Sequence, residues 1–365
     1  MSRPTAAEVA NPSRLPQLET TRSVLMILGI VAHAILVLPF FEPWLSGTDA
    51  STASVLYNVI HVFRLPAYFI ISGHLAAWLL QRTGTRGFLI SRFKRITSVM
   101  IVAQVAIFLV FRFVGCQICT VQGSSDWLHN GWLHLWFLYY LVIISHLAVG
   151  LVWASQRWWP RPADRVGAWT ARAPFGGVQV LAFALVTALV PGVMTPEHTL
   201  VLDEGVIPNL GLLATYGCYF TAGWLIYRGQ AWGQIRAKWA ALAGLLLLSV
   251  VCVWSPLAAY TPPMLTRYFE SLQGWSAALL LLSLAFNFSS GSQKIWRYLD
   301  DSSYWVYLWH VIPVLGFSWL LAKLHLPVWA YLGGVVLGAL ALSVATYHLV
   351  VRRSIVGLWL SGRRR

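Results

Sequence analysis

Arg22 and His33 stand eleven positions apart, and His33 is the only titratable group in the apolar run from Ser23 to Phe41. On a helix, eleven residues make three turns plus about 20° and a climb of roughly 16 Å. The two side chains therefore point the same way. The guanidinium sits at the helix start and the imidazole about halfway across a hydrocarbon layer ~30 Å thick. An imidazole at that depth is costly unless it faces protein or water, so His33 is a candidate general base. The competing reading is a packing histidine bonded to a neighbouring helix.

A second polar stripe lies in the next apolar run, where His61, Arg64 and Tyr68 are spaced three and four apart and share one helix face. Arg64 lies about ten residues into that run, too deep to reach either surface, and at about the level His33 reaches from the other direction. A base and a fixed cation at one level suit acyl transfer. The base deprotonates an attacking hydroxyl and the cation stabilises the oxyanion that develops. The plainer alternative for Arg64 is a contact that only fixes helix packing.

Three further groups could serve the same chemistry. Tyr304, Tyr307 and His310 recur every three residues along one face, either lining a channel or forming a buried hydrogen-bond network. His134 and Trp136 open another apolar run and could add to a substrate cleft in which aromatic faces meet sugars. Arg92 and Arg95 could clamp phosphates, although orientation charges explain them equally well. The chain has no GxSxG, no P-loop, no GxGxxG and no carboxylate pair within its apolar runs. A serine hydrolase, a nucleotide hydrolase and a glycosidase are disfavoured on that ground.

The elements that must position these residues are membrane helices. Of 365 residues, 58% are hydrophobic and 10% charged, where a soluble chain carries about 25% charge. Ten spans are expected, at 23–41, 54–80, 96–115, 132–153, 178–193, 206–228, 239–257, 272–288, 303–322 and 327–351. With the loops placed alternately, 22 of the 26 basic residues fall on one side. The rule that Lys and Arg stay inside then predicts both termini in the cytoplasm. The net charge of +14 is thus a topological signal, and it points to no nucleic-acid partner. The polar stretch Met1–Glu19 lacks the apolar core of a removable leader, so the first helix reads as an anchor. A lone CxxC at Cys116 and Cys119, with no second pair, gives no zinc site and leaves a local disulfide open. Cys218 and Cys252 are expected to pack within helices. The expected architecture is an all-α helix bundle, with residues 1–18 as a polar segment, 19–352 as the membrane domain and 353–365 as a basic tail.

The chain resembles the acyltransferase-3 family of integral membrane proteins over roughly residues 15–360. The matching pieces are Glu19-x-x-Arg22 with His33, the stretch from Arg64 to Gly73, Arg92-x-x-Arg95, His134-Leu-Trp-Phe-Leu138, and Tyr304-x-x-Tyr307-Leu-x-His310. The departure is Glu19, where the family commonly shows Asp. The resemblance implies an acyl-CoA donor, acetyl-CoA before succinyl-CoA, approaching from the cytoplasm, with no metal. It also implies a glycan or lipid-linked oligosaccharide as acceptor and a bacterial inner membrane as location. His33 would be the catalytic histidine, Arg22 would contact the donor, and Arg92 and Arg95 would help hold its phosphates. The rival from another class is a transporter or flippase of lipid-linked glycans, but inverted repeats with interrupted helices are not evident here. A third possibility is a non-enzymatic envelope assembly subunit that keeps only the fold.

Overall fold

The computed structural model describes residues 15–41, 48–114, 131–158, 176–195, 198–201, 203, 205–255, 260–289 and 294–361. Cys116, Cys119 and most of the connection from 156 to 174 lie outside these residues. Among the described residues the chain is helical throughout, and its one β feature is an isolated bridge between Met194 and Leu200.

The helices are α1 (Pro16–Phe41), α2 (Thr48–Arg92), α3 (Ser98–Val114), α4 (Trp136–Trp158), α5 (Gly177–Ala188), α6 (Leu210–Arg228), α7 (Trp232–Ala237), α8 (Trp239–Trp254), α9 (Pro263–Phe288), α10 (Lys294–Trp309), α11 (Val311–Ala322), α12 (Val328–Thr346) and α13 (Ile355–Ser361). Five stretches among the described residues are long and apolar enough to cross a membrane, and the bent pair α10–α11 makes a sixth. Every expected span has a helical counterpart. Two of the expected spans, 54–80 and 96–115, run together as one apolar stretch from Ser51 to Val110.

That stretch turns at defined points. α2 keeps helical backbone through Pro66 and leaves it at Gly84, where φ is 66° and ψ is 176°. A left-handed φ costs glycine little because it has no Cβ. A π-helical turn, Phe93–Thr97, then leads into α3.

The expected ninth span, 303–322, is not one straight helix. It bends by 71° between Trp309 and Val311. Pro313 supplies the cause: it has no N–H for the carbonyl four residues back, and its ring crowds that carbonyl, which belongs to Trp309. The bend leaves His310 at the corner.

Two apolar cores hold the bundle. The larger joins α2, α4, α6 and α9 around Trp275, Tyr216, Phe69 and Phe220. The smaller joins the later part of α1, from Met26 to Leu38, to α11 and α12. Leu25 belongs to the first core and Met26 to the second, so α1 runs along the seam.

The tightest crossing is between α2 and α6, where Gly73 faces the Phe220 carbonyl and Gly223 faces the Ile70 carbonyl. A Cβ at either glycine would collide with the opposing backbone. Small residues at such crossings let helix backbones approach closely. Because backbone cannot rotate aside as a side chain can, Gly223→Ala is expected to lower thermal stability by about 1–3 kcal/mol or more. A melting curve of purified protein in detergent checks it. An unchanged midpoint would show that the crossing is looser than described.

Candidate active site

Four parts of the chain, α1, α2, α10 and the start of α4 with the turn before it, bring the chemistry-bearing residues to one cavity. On α1, Arg22, Met26, Gly29 and His33 follow one another at four, three and four residues and so share a face. On α10, Asp300, Tyr304 and Tyr307 form the matching stripe, with His310 at its end. The two stripes meet in register. Arg22 Nε and Nη2 donate to both carboxylate oxygens of Asp300 at 2.7 and 2.6 Å, and His33 reaches His310 eleven residues on. α1 and α10 therefore run in the same direction. α2 runs against them: Tyr68 donates its hydroxyl hydrogen to the Arg22 carbonyl at 3.2 Å, and Arg64 lies beside Gly29.

The cavity is lined by residues of α1 (Leu25, Met26, Gly29 and His33), α2 (Arg64, Leu65 and Tyr68), the 3-10 turn before α4 (His134), the start of α4 (Trp136 and Phe137), α10 (Tyr307) and the corner after it (His310). Its volume is about 40 Å³, room for roughly three water molecules. Gly29 leaves room for the guanidinium as it lies, since a Cβ there would stand 2.7 Å from Arg64 Nη1 and the side chain would have to shift.

Hydrogen bonds assign the histidine tautomers, since a carbonyl can only accept. His33 Nδ1–H donates to the Gly29 carbonyl at 2.9 Å, which leaves its Nε2 as the lone-pair nitrogen. His310 Nδ1–H donates to the carbonyls of Val306 and Tyr307 at 3.0 and 2.9 Å. Its Nε2 lies 3.4 Å from His33 Nδ1. His134 Nε2–H faces the Leu308 carbonyl at 3.4 Å, and its Nδ1 has no partner. The three rings form a triangle with centroids 4.8, 5.5 and 6.2 Å apart.

Arg64 is the one Lys or Arg lining the cavity among the described residues. Among the described residues no carboxylate pairs with it, and its Nε lacks a hydrogen-bond partner. A buried guanidinium without an anion is expensive, and such groups mark functional sites.

The structure thus gathers His33, Arg64, His134, Trp136, Tyr307 and His310 and leaves the other predicted site residues outside the cavity. His61 shares its helix face with Arg64 but lies one turn further along, where its Nε2–H donates to the Leu200 carbonyl at 3.0 Å and its ring stacks on Tyr57. It ties down the α5–α6 connection, which is also held by the His198–Glu270 pair at 2.6 Å and by the Tyr140 hydroxyl on Asp203.

Arg22 sits below the cavity on its bidentate carboxylate. Tyr304 donates to the Arg95 carbonyl at 2.9 Å, and Tyr307 to the His134 carbonyl at 2.7 Å. Both hydroxyls donate to backbone across helix interfaces, and Tyr307 also lines the cavity. Arg92 turns inward over the Phe88 ring, its guanidinium carbon 5.1 Å from the centroid, whereas Arg95 is exposed. The two do not form a clamp.

Asp300 is the site-adjacent residue that reading the sequence missed. The signal was present: the pair Asp300–Asp301 precedes the aromatic stripe in a connection otherwise marked by Lys294 and Arg297.

A family model described as an acyltransferase domain matches residues 15–348. The chain belongs to the acyltransferase-3 family. Among curated relatives, glucans biosynthesis protein C of Salmonella paratyphi B and of Salmonella heidelberg are each 28% identical to this chain over 162 residues. That similarity covers 40% of this chain and 42% of each relative, so the chain spans about two fifths of the length of the relatives it matches. No solved structure matches. The family is membrane-associated, and the histidine-lined cavity is the candidate active site of this chain.

Proposed function

We propose that this protein is an integral inner-membrane O-acyltransferase. It moves an acetyl or succinyl group from cytoplasmic acyl-CoA to a hydroxyl of a cell-envelope or exported polysaccharide, or of its lipid-linked precursor. Ten helices cross the membrane with both termini inside, which accords with the one-sided distribution of basic residues. The observation that carries the reading is the shared cavity, where the lone-pair Nε2 of His33 and the uncompensated Arg64 guanidinium come together from different helices.

In the reaction, His33 Nε2 takes the proton of the acceptor hydroxyl as its oxygen bonds to the thioester carbon. The carbonyl oxygen becomes an oxyanion beside Arg64, whose positive charge is already in place. As the carbonyl re-forms, the C–S bond breaks with its electrons on sulfur, and the proton held by His33 passes to the thiolate.

Acetyl is the first reading of the cargo, because it is the smaller group for a narrow cavity. The observation favouring succinyl is again Arg64, since a distal carboxylate would supply its missing anion.

Mass analysis of envelope glycans from cells with and without this protein tests the proposal. Acylated species are expected only with the protein, and the mass difference names the group. Loss of glycan export with normal acylation of the retained material would overturn it in favour of a flippase.

A further inference from the structure

The corner at His310 does more for the site than line it. We propose that His310 is a positioning residue for the base: its Nε2 lone pair receives the Nδ1 proton of His33, holding the ring so that Nε2 meets the acceptor hydroxyl. This rests on the reading of His33 as the base.

Four observations carry it. His310 is 3% exposed, so its ring faces protein and the small cavity and not bulk solvent. Its Nδ1–H is fixed by two carbonyls, Val306 and Tyr307, which leaves Nε2 able only to accept. That nitrogen lies 3.4 Å from His33 Nδ1, with the rings edge to face at 85°. The bend imposed by Pro313 ends α10 at this residue and turns α11 away by 71°, which puts the ring at the corner beside α1.

The Gly29 carbonyl also accepts from His33 Nδ1 at 2.9 Å, but it lies on the same helix and serves as the i−4 acceptor for the His33 backbone as well. His310 is the acceptor from outside α1. When Nε2 gains the hydroxyl proton, the Nδ1–H becomes a charged donor, and hydrogen bonds to charged donors are the stronger ones. The lone pair opposite is then worth more in the transition state than at rest, which is the condition for it to affect turnover and not binding.

The test uses full-length protein in lipid nanodiscs with 15N-labelled histidine rings, His33 being assigned by its loss in His33→Gln. Native protein is expected to show His33 protonated on Nδ1. In His310→Phe the Nδ1–H should keep its bond to the Gly29 carbonyl, but its 1H and 15N resonances should shift as the second acceptor is lost, with kcat falling about tenfold to a hundredfold and KM for acyl-CoA unchanged. His310→Gln, whose amide oxygen can accept, should recover part of the loss. An Nε2–H tautomer in the native protein, or an unchanged Nδ1–H resonance or kcat in His310→Phe, would overturn the proposal. If the phenylalanine variant does not fold, the glutamine variant decides by the same two readouts. Full turnover in His33→Gln would sink the base reading alone, because the tautomer measurement needs no activity.

Discussion

Replacing His33 with alanine is expected to cut acyl transfer by about a hundredfold to ten-thousandfold, the range a positioned general base contributes, while the protein stays folded. The fold should survive because the His33 side chain bonds mainly within its own helix, to the Gly29 carbonyl, and because its ring borders an existing cavity. Among the described residues its one bond across helices is to His310. Turnover with purified protein, alongside circular dichroism and a melting curve, separates the two effects. A variant that keeps a tenth or more of native turnover would remove His33 from the chemistry. His33→Gln fills most of the volume without a comparable base and should be as inactive as alanine.

Arg64→Met is the second large effect, and its stability consequence runs opposite to its activity consequence. An uncompensated guanidinium in an apolar site is a cost to the folded state, so an isosteric apolar side chain should leave the melting temperature unchanged or raised. Turnover should nevertheless fall by about a hundredfold to a thousandfold, the loss seen when one preorganised donor to an oxyanion is removed. Arg64→Lys keeps the charge but not the planar fork and should fall between the two. A lowered melting temperature with native turnover per folded molecule would make Arg64 a packing residue instead.

Much of this site could be read from spacing alone. The eleven residues between Arg22 and His33 put both on one face, and in the structure both do face α10. The depth argument that levelled Arg64 with His33 is matched by their common cavity, because helix rise is nearly constant and needs no tertiary knowledge. What failed was anything set by a third element. His61 has the right face for the cavity, yet the α5–α6 connection presents the Leu200 carbonyl to it, and nothing in the local pattern of α2 foretells that. For Tyr304 and Tyr307 a channel lining and a hydrogen-bond network stayed equally open, because the carbonyls that take their hydroxyls, of Arg95 and His134, lie some two hundred residues away in sequence. The turn at His310 was legible, since Pro313 stands in an apolar run and removes the donor for the Trp309 carbonyl. A window sum of hydropathy treats proline as one more residue and so passes over it.

The paired glycines between α2 and α6 bear on how substrates get in. Two backbones in direct contact cannot slide or part without losing their whole seam, so this half of the bundle is a fixed wall on which Arg64 is mounted. α1, by contrast, divides its contacts between two apolar cores, and α10 ends at a broken turn. On the proposed reaction, any opening that admits the two substrates is expected in α1 and α10, which would shift the base relative to the cation.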